Sequence, residues 1–152
     1  IDLGDGLDAL LGAAAGGELE ALVLVRSDVL GARDAATVRV ALETVPYLAV
    51  LDAGRVEELQ YASVVLPIGT YAESEGTFTN HARRVQRFRQ AVPPPGDARP
   101  GWQALADVLA IVTGGAVPVS AADAFAALAA EGGAFAGLDH ATLGASGQPL
   151  PG

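Results

Sequence analysis

Three short, unbroken apolar runs constrain this chain most: ALVLV at Ala21–Val25, YLAVLD at Tyr47–Asp52 and SVVLPIG at Ser63–Gly69. They are short for helices and lack the alternation of a half-exposed strand. Each therefore reads as a strand buried on both faces. Between the first two, Ala32–Thr44 sets Ala35, Val38, Ala41 and Leu42 at helical spacing, with Arg33 and Arg39 outward and Pro46 as the boundary. Between the last two, Val56–Tyr61 reads as a short helix. Strands joined in this way run parallel, so the pattern predicts an α/β fold with a parallel βαβαβ sheet, half of a doubly wound architecture. Such sheets bind ligands at the carboxyl ends of their strands. Those ends are Arg26-Ser27-Asp28, Asp52-Ala53-Gly54 and the stretch from Pro67 to Asn80.

Helices are expected on either side. Leu7, Leu10, Leu11 and Ala14 form an apolar stripe that stops at Gly16-Gly17. Trp102, Leu105, Ala106, Leu109 and Val112 form another, stopped by Gly114-Gly115. Ser120 then caps a last helix, with Asp123 three residues on and Phe125, Leu128 and Ala129 facing the core. The stretch 144–152 is rich in glycine and proline and reads as a linker, leaving 1–143 as the α/β piece.

Several chemistries are excluded by what the chain lacks. Without cysteine there is no disulfide, thiolate metal site, iron–sulfur ligation or thiol nucleophile in this segment. The two histidines, His81 and His140, have no carboxylate cluster to complete a metal site, and His140 is expected at the surface. Gly4 and Gly6 precede a helix but lack the preceding strand and third glycine of a dinucleotide fingerprint. No nucleophile elbow or Walker pattern is present. A net charge of −9 opposes nucleic acid. No apolar run reaches the ~20 residues of a membrane helix, so no direct membrane contact is expected. The chain starts at Ile1 in mid-pattern and contains no methionine, so it is expected to be a soluble, intracellular piece of a longer protein.

Against this acidic background, four of the nine basic residues gather at Arg83, Arg84, Arg87 and Arg89. In an extended ribbon, Arg83, Val85, Arg87 and Arg89 lie on one side and Arg84, Gln86, Phe88 and Gln90 on the other. Two readings stay open: an edge strand guarded by charge, or an anion site or docking strip, which suits the bidentate guanidinium. Glu73 and Glu75, two residues apart before a glycine, read as solubilising loop residues. Pro93–Pro95 stiffens the exit.

The same stretch carries a resemblance. "ASVVLP" at Ala62–Pro67, Glu73, "EGTFTN" at Glu75–Asn80 and "RRVQ" at Arg83–Gln86 resemble, in order, the motifs of the molybdopterin oxidoreductase family. "AVPPPGDARPGW" through Trp102, "FAGLDHATL" at Phe135–Leu143 and "LLGAAAGGELEALVLVRSD" extend the likeness over most of the chain. The resemblance implies a Rossmann-like domain of the formate dehydrogenase/DMSO reductase type, with an extended basic ribbon and C-terminal helices.

Two branches follow. Cofactor-binding members usually carry a glycine after the first strand, where this chain has Arg26, and Thr-Glu where it has His81-Ala82. On those departures the resemblance points to the large subunit of the NADH-quinone oxidoreductase, respiratory complex I. That implies a non-catalytic structural segment in the cytoplasmic peripheral arm of the bacterial inner-membrane enzyme. It would support electron transfer from NADH to quinone without a cofactor of its own, with iron–sulfur clusters elsewhere in the parent. Its partners would be the rest of that large subunit and the other subunits of the arm. The alternative is a catalytic subunit of a formate dehydrogenase-like enzyme that binds molybdopterin dinucleotide. In either branch Gly76, Thr77, Thr79, Asn80, Arg83 and Arg84 descend from a cofactor-phosphate segment, and Arg87 and Arg89 are the docking residues.

Overall fold

Two aspartates split the first crossover. In the computed structural model, which describes residues 6–144 and 146–150, the expected helix over 32–44 is α3 (Ala35–Thr44), preceded by a separate short helix, α2 (Val29–Ala32). Asp28 Oδ1 accepts from the Gly31 N–H at 2.7 Å, and Asp34 Oδ2 accepts from the Thr37 N–H at 2.9 Å. Each aspartate satisfies a helix N-terminal donor, and Asp34 itself is non-helical at φ −58°, ψ 110°. Gly4 of the Gly4/Gly6 pair lies outside the described residues.

The chain divides after Pro67 into two compact units. The first contains α1 (Gly6–Ala15), β1 (Ala21–Val25), α2, α3, β2 (Tyr47–Asp52), a 3-10 turn at Glu57–Tyr61 and β3 (Val64–Pro67). The strands run parallel in the order β1-β2-β3, with Val23 opposite Ala49 and Val50 opposite Val65. This is the α/β arrangement expected from the three apolar runs. Leu22, Leu24, Leu48 and Val50 cluster with Leu11 and Ala14 of α1 and with Val38, Ala41 and Leu42 of α3.

Burial on both faces holds only for the central strand, where Leu48, Ala49, Val50 and Leu51 are all buried. In β1, Leu22 and Leu24 are buried while Ala21, Val23 and Val25 are exposed, and Val65 of β3 is exposed too. The physical reason is that α1 and α3 cover one face of the sheet. A continuous apolar run records a strand's tolerance for burial, not how many layers this chain supplies.

The second unit is built on a hairpin. β4 (Gly76–Thr79) pairs antiparallel with β5 (Arg84–Phe88). Ahead of it, Glu73 Oε2 accepts from the Thr70 N–H at 2.8 Å and closes the 3-10 turn Tyr71–Glu73. Glu73 is thus a local cap, while Glu75 is exposed. α4 (Gly101–Thr113) ends at Gly114, which adopts the left-handed φ of +64° that stops a helix without a Cβ clash. Its Leu105, Leu109 and Val112 are exposed. α5 (Ala121–Ala130) starts at Ser120, whose Oγ accepts from the Asp123 N–H at 3.1 Å. Val85, Phe125 and Leu143 form this unit's core, with Phe135, Leu138 and Leu150 packed around it. Within the stretch 144–152, β6 (Gln148–Pro149) pairs with the outer edge of β5. Among the described residues, no helix is long and apolar enough to cross a membrane.

Candidate functional site

The hairpin brings all the candidate residues of the basic stretch together but sorts them onto two faces. Thr77 stands opposite Arg87 and Thr79 opposite Val85, so these four share one face. Val85 is fully buried against Phe125 and Leu143. Gly76 stands opposite Phe88 and Phe78 opposite Gln86, which makes the second face, shared by Arg84 through strand alternation. There Phe78 and Phe88 stack with ring centroids 4.6 Å apart. A Cβ at Gly76 would lie 3.2 Å from the Phe88 ring, so glycine is what lets that ring settle over β4.

Asn80 closes the turn. Its Oδ1 accepts from the Ala82 and Arg84 N–H groups, both at 3.0 Å, which places His81-Ala82 at an exposed tip. Arg83 follows at φ +56°, unusual for a residue with a Cβ. Arg84 is half-buried, and its Nη1 donates to the carbonyl oxygens of Ser146 at 3.2 Å and Gly147 at 2.7 Å. Arg87 is half-buried and Arg89, just past β5, is exposed. Guanidinium forks and hydroxyls are donors suited to phosphate, but the alternation keeps Thr77, Thr79 and Arg87 on one face and Arg84 with Gly76 on the other. They offer no nucleophile, and no group of three or more His, Asp or Glu among the described residues is placed to hold a metal.

At the carboxyl ends of the parallel strands the carboxylates serve local structure. Asp28 caps α2, and Asp52 Oδ1 accepts from the Gly54 N–H at 2.9 Å. Arg26 ends β1 at φ +48°, the conformation a glycine adopts without strain. The backbone therefore keeps a glycine-like course although the residue is arginine. Because both variants delete the same side chain, Arg26→Gly is expected to be about 1 kcal/mol more stable than Arg26→Ala. Chemical denaturation of the pair measures this, and equal stability would mean that the loop relaxes out of the left-handed region.

His140 is buried at 8% exposure, not at the surface as expected from its sequence neighbourhood. Its ring lies 5.9 Å from Phe125, and its Nε2 has no partner among the described residues. Asp139 Oδ1 accepts from the N–H groups of Ala141 and Thr142, a tight turn that delivers the imidazole inward. Burial first, and then the charge of Arg87, holds its pKa below the ordinary 6.5, against the opposite pull of Glu75 and Asp139. The unfolded chain thus takes up this proton before the folded one does. The stability His140 contributes is complete above pH 6.5 and is lost as pH falls below it toward the folded value. Between pH 7.5 and 5.5, the urea midpoint should fall less in His140→Phe than in the unmodified chain. Identical falls would remove the imidazole from the account.

Comparison with known proteins is consistent with this geometry. Residues 4–111 match the family described as Molybdopterin oxidoreductase. An F420-dependent formate dehydrogenase 2 subunit alpha from Methanococcus maripaludis is 44% identical over 89 residues, covering 58% of this chain and 13% of that protein. The putative formate dehydrogenase YrhE of Bacillus subtilis is 40% identical over 111 residues, 71% of this chain and 11% of that protein. The chain thus spans about a tenth of the length of these relatives. Acetylene hydratase from Pelobacter acetylenicus superposes with a TM-score of 0.59 at 22% identity, over 70% of this chain and 15% of that one, a likeness of fold.

These relatives overturn the assignment to the NADH-quinone oxidoreductase (complex I) large subunit, and with it the peripheral-arm partners and the quinone and NADH dehydrogenase role. That assignment rests on Arg26 standing in the place of a glycine, and on His81-Ala82 in place of Thr-Glu. The first is weak grounds, because the backbone at Arg26 still follows the glycine path. With the family match spanning both the parallel sheet and the basic hairpin, the chain belongs to the molybdopterin oxidoreductase family.

Proposed function

We propose that this chain is part of the molybdopterin dinucleotide-binding catalytic subunit of a formate dehydrogenase-like oxidoreductase. The observation that carries the reading is the 40–44% identity to formate dehydrogenases in two organisms, within a family that implies a molybdopterin cofactor in the parent enzyme. The hairpin fits a share of that cofactor. Arg84 offers a guanidinium fork suited to phosphate on the face it shares with Gly76, Arg83 adds a second at the turn, and Thr77 and Thr79 present hydroxyls on the opposite face. Asn80 keeps the turn closed so that both arginines leave it in a set direction.

When bound, the dinucleotide supplies the redox-active metal. The role of these residues is to bind and orient its phosphates. Arg87 and Arg89 dock the hairpin to the remainder of the subunit, and the partners are formate dehydrogenase subunits. The test is the molybdenum, tungsten and pterin content of the parent protein purified without denaturation, together with formate-dependent dye reduction. Stoichiometric metal and pterin with formate oxidation are expected. A parent free of metal and pterin, and inert toward formate, would overturn the reading.

A further inference from the structure

Residues 146–150 hold to the hairpin at the place where the phosphate donors lie. Arg84 Nη1 donates to Ser146 O and Gly147 O, at 3.2 and 2.7 Å. The Leu150 N–H donates to Arg83 O at 2.7 Å, Gln148 pairs with Val85, and Gln148 Nε2 donates to Thr142 O at 3.0 Å. Gly147 has φ +68°, and a Cβ there would overlap the Val85 carbonyl oxygen. Only glycine lets the segment lie this close to β5.

These bonds have a consequence for Arg84. A guanidinium has five N–H donors, of which Nη1 carries two. With two carbonyl acceptors taking Nη1, the Nε–Nη2 edge is left, and it has no partner among the described residues. That edge presents two parallel donors, the fork that meets a phosphate bidentately. The acceptors are backbone carbonyls, so the full positive charge remains. A free arginine carries substantial rotamer entropy, much of which a ligand must otherwise remove on binding. Anchoring through Nη1 removes it beforehand.

We infer that 146–150 is a positioning strap: it fixes Arg84 so that its Nε–Nη2 edge receives a pyrophosphate-type anion. The inference rests on the phosphate-binding reading above, and the test separates the two.

Inorganic pyrophosphate is titrated calorimetrically into the cofactor-free parent protein carrying the unmodified chain, Gly147→Val or Arg84→Gln, with ¹⁵N relaxation of Arg84 Nε as an independent readout. The unmodified chain is expected to bind, with a rigid Arg84 Nε. Gly147→Val, which expels the strap, is expected to lose about tenfold in affinity, approaching Arg84→Gln, and to mobilise Arg84 Nε. If Gly147→Val does not fold, Leu150→Pro, which removes the N–H bonded to Arg83 O together with the Leu150 side chain packed near Val85, takes its place with the same expectation. Binding abolished by Arg84→Gln but unchanged or tightened by strap release would overturn the strap alone. No binding by the unmodified chain would overturn both the strap and the phosphate reading of the hairpin.

Discussion

Glu58→Ala is expected to destabilise the parallel-sheet unit by about 3 kcal/mol, the sum of an orphaned donor and a cavity. Glu58 is completely buried, although it lies in a short 3-10 turn. Its Oε1 accepts from the Leu30 N–H at 3.0 Å, a first-turn donor of α2 that has no intrahelical partner. Its Oε2 has no partner among the described residues. Alanine removes the acceptor and the volume together. Leucine restores the volume but leaves the Leu30 N–H unsatisfied, at about 1–3 kcal/mol. Glutamine keeps both the acceptor and the shape, and is expected within about 1 kcal/mol of the original. Urea unfolding of the three variants should therefore rank alanine as most damaging, leucine next and glutamine least. Glutamine as damaging as alanine would show that neither the Leu30 bond nor the side-chain volume is what the site needs.

Arg83→Gln combined with Arg84→Gln should lower cofactor affinity by a factor on the order of 10²–10⁴, as two charge-assisted contacts are each worth about 1.5–3 kcal/mol. The readout is the pterin and metal content of the purified parent, with formate oxidation measured alongside. Arg84→Gln also breaks the bonds to Ser146 and Gly147, so part of its effect reports the loss of those contacts. Arg84→Lys keeps the charge but not the fork, and should fall between the original and glutamine. Full cofactor content in the double variant would remove the hairpin from the binding site and leave it with a packing role.

The hairpin shows how far local reasoning reaches. The alternation of arginines correctly assigns Val85 and Arg87 to one side and Arg84, Gln86 and Phe88 to the other, because side-chain direction in a strand has period two. It says nothing about which side is covered. Val85 is buried because Phe125 and Leu143 come to it from much later in the chain. The Gly/Pro-rich end carried one unused signal, the glycine at 147. Its close approach to β5 becomes visible only when β5 is in place. His140 shows the opposite error: a polar residue beside an aspartate in a turn-rich tail looks exposed, and the Phe125 ring decides otherwise.

By itself the sequence determined the order and direction of the three parallel strands, most of the helix stops and the family, but not the antiparallel pairing of β4, β5 and β6. Those signals are written in runs, caps and motifs a few residues long, where backbone sterics and local hydrogen bonds act. Only the tertiary structure decided that the sheet is covered by α1 and α3 on one face, that Glu58 serves a donor 28 residues away, and that Arg84 is anchored by a carbonyl 63 residues away. Burial and long-range pairing depend on which distant surfaces meet, and short-range periodicity carries no record of that.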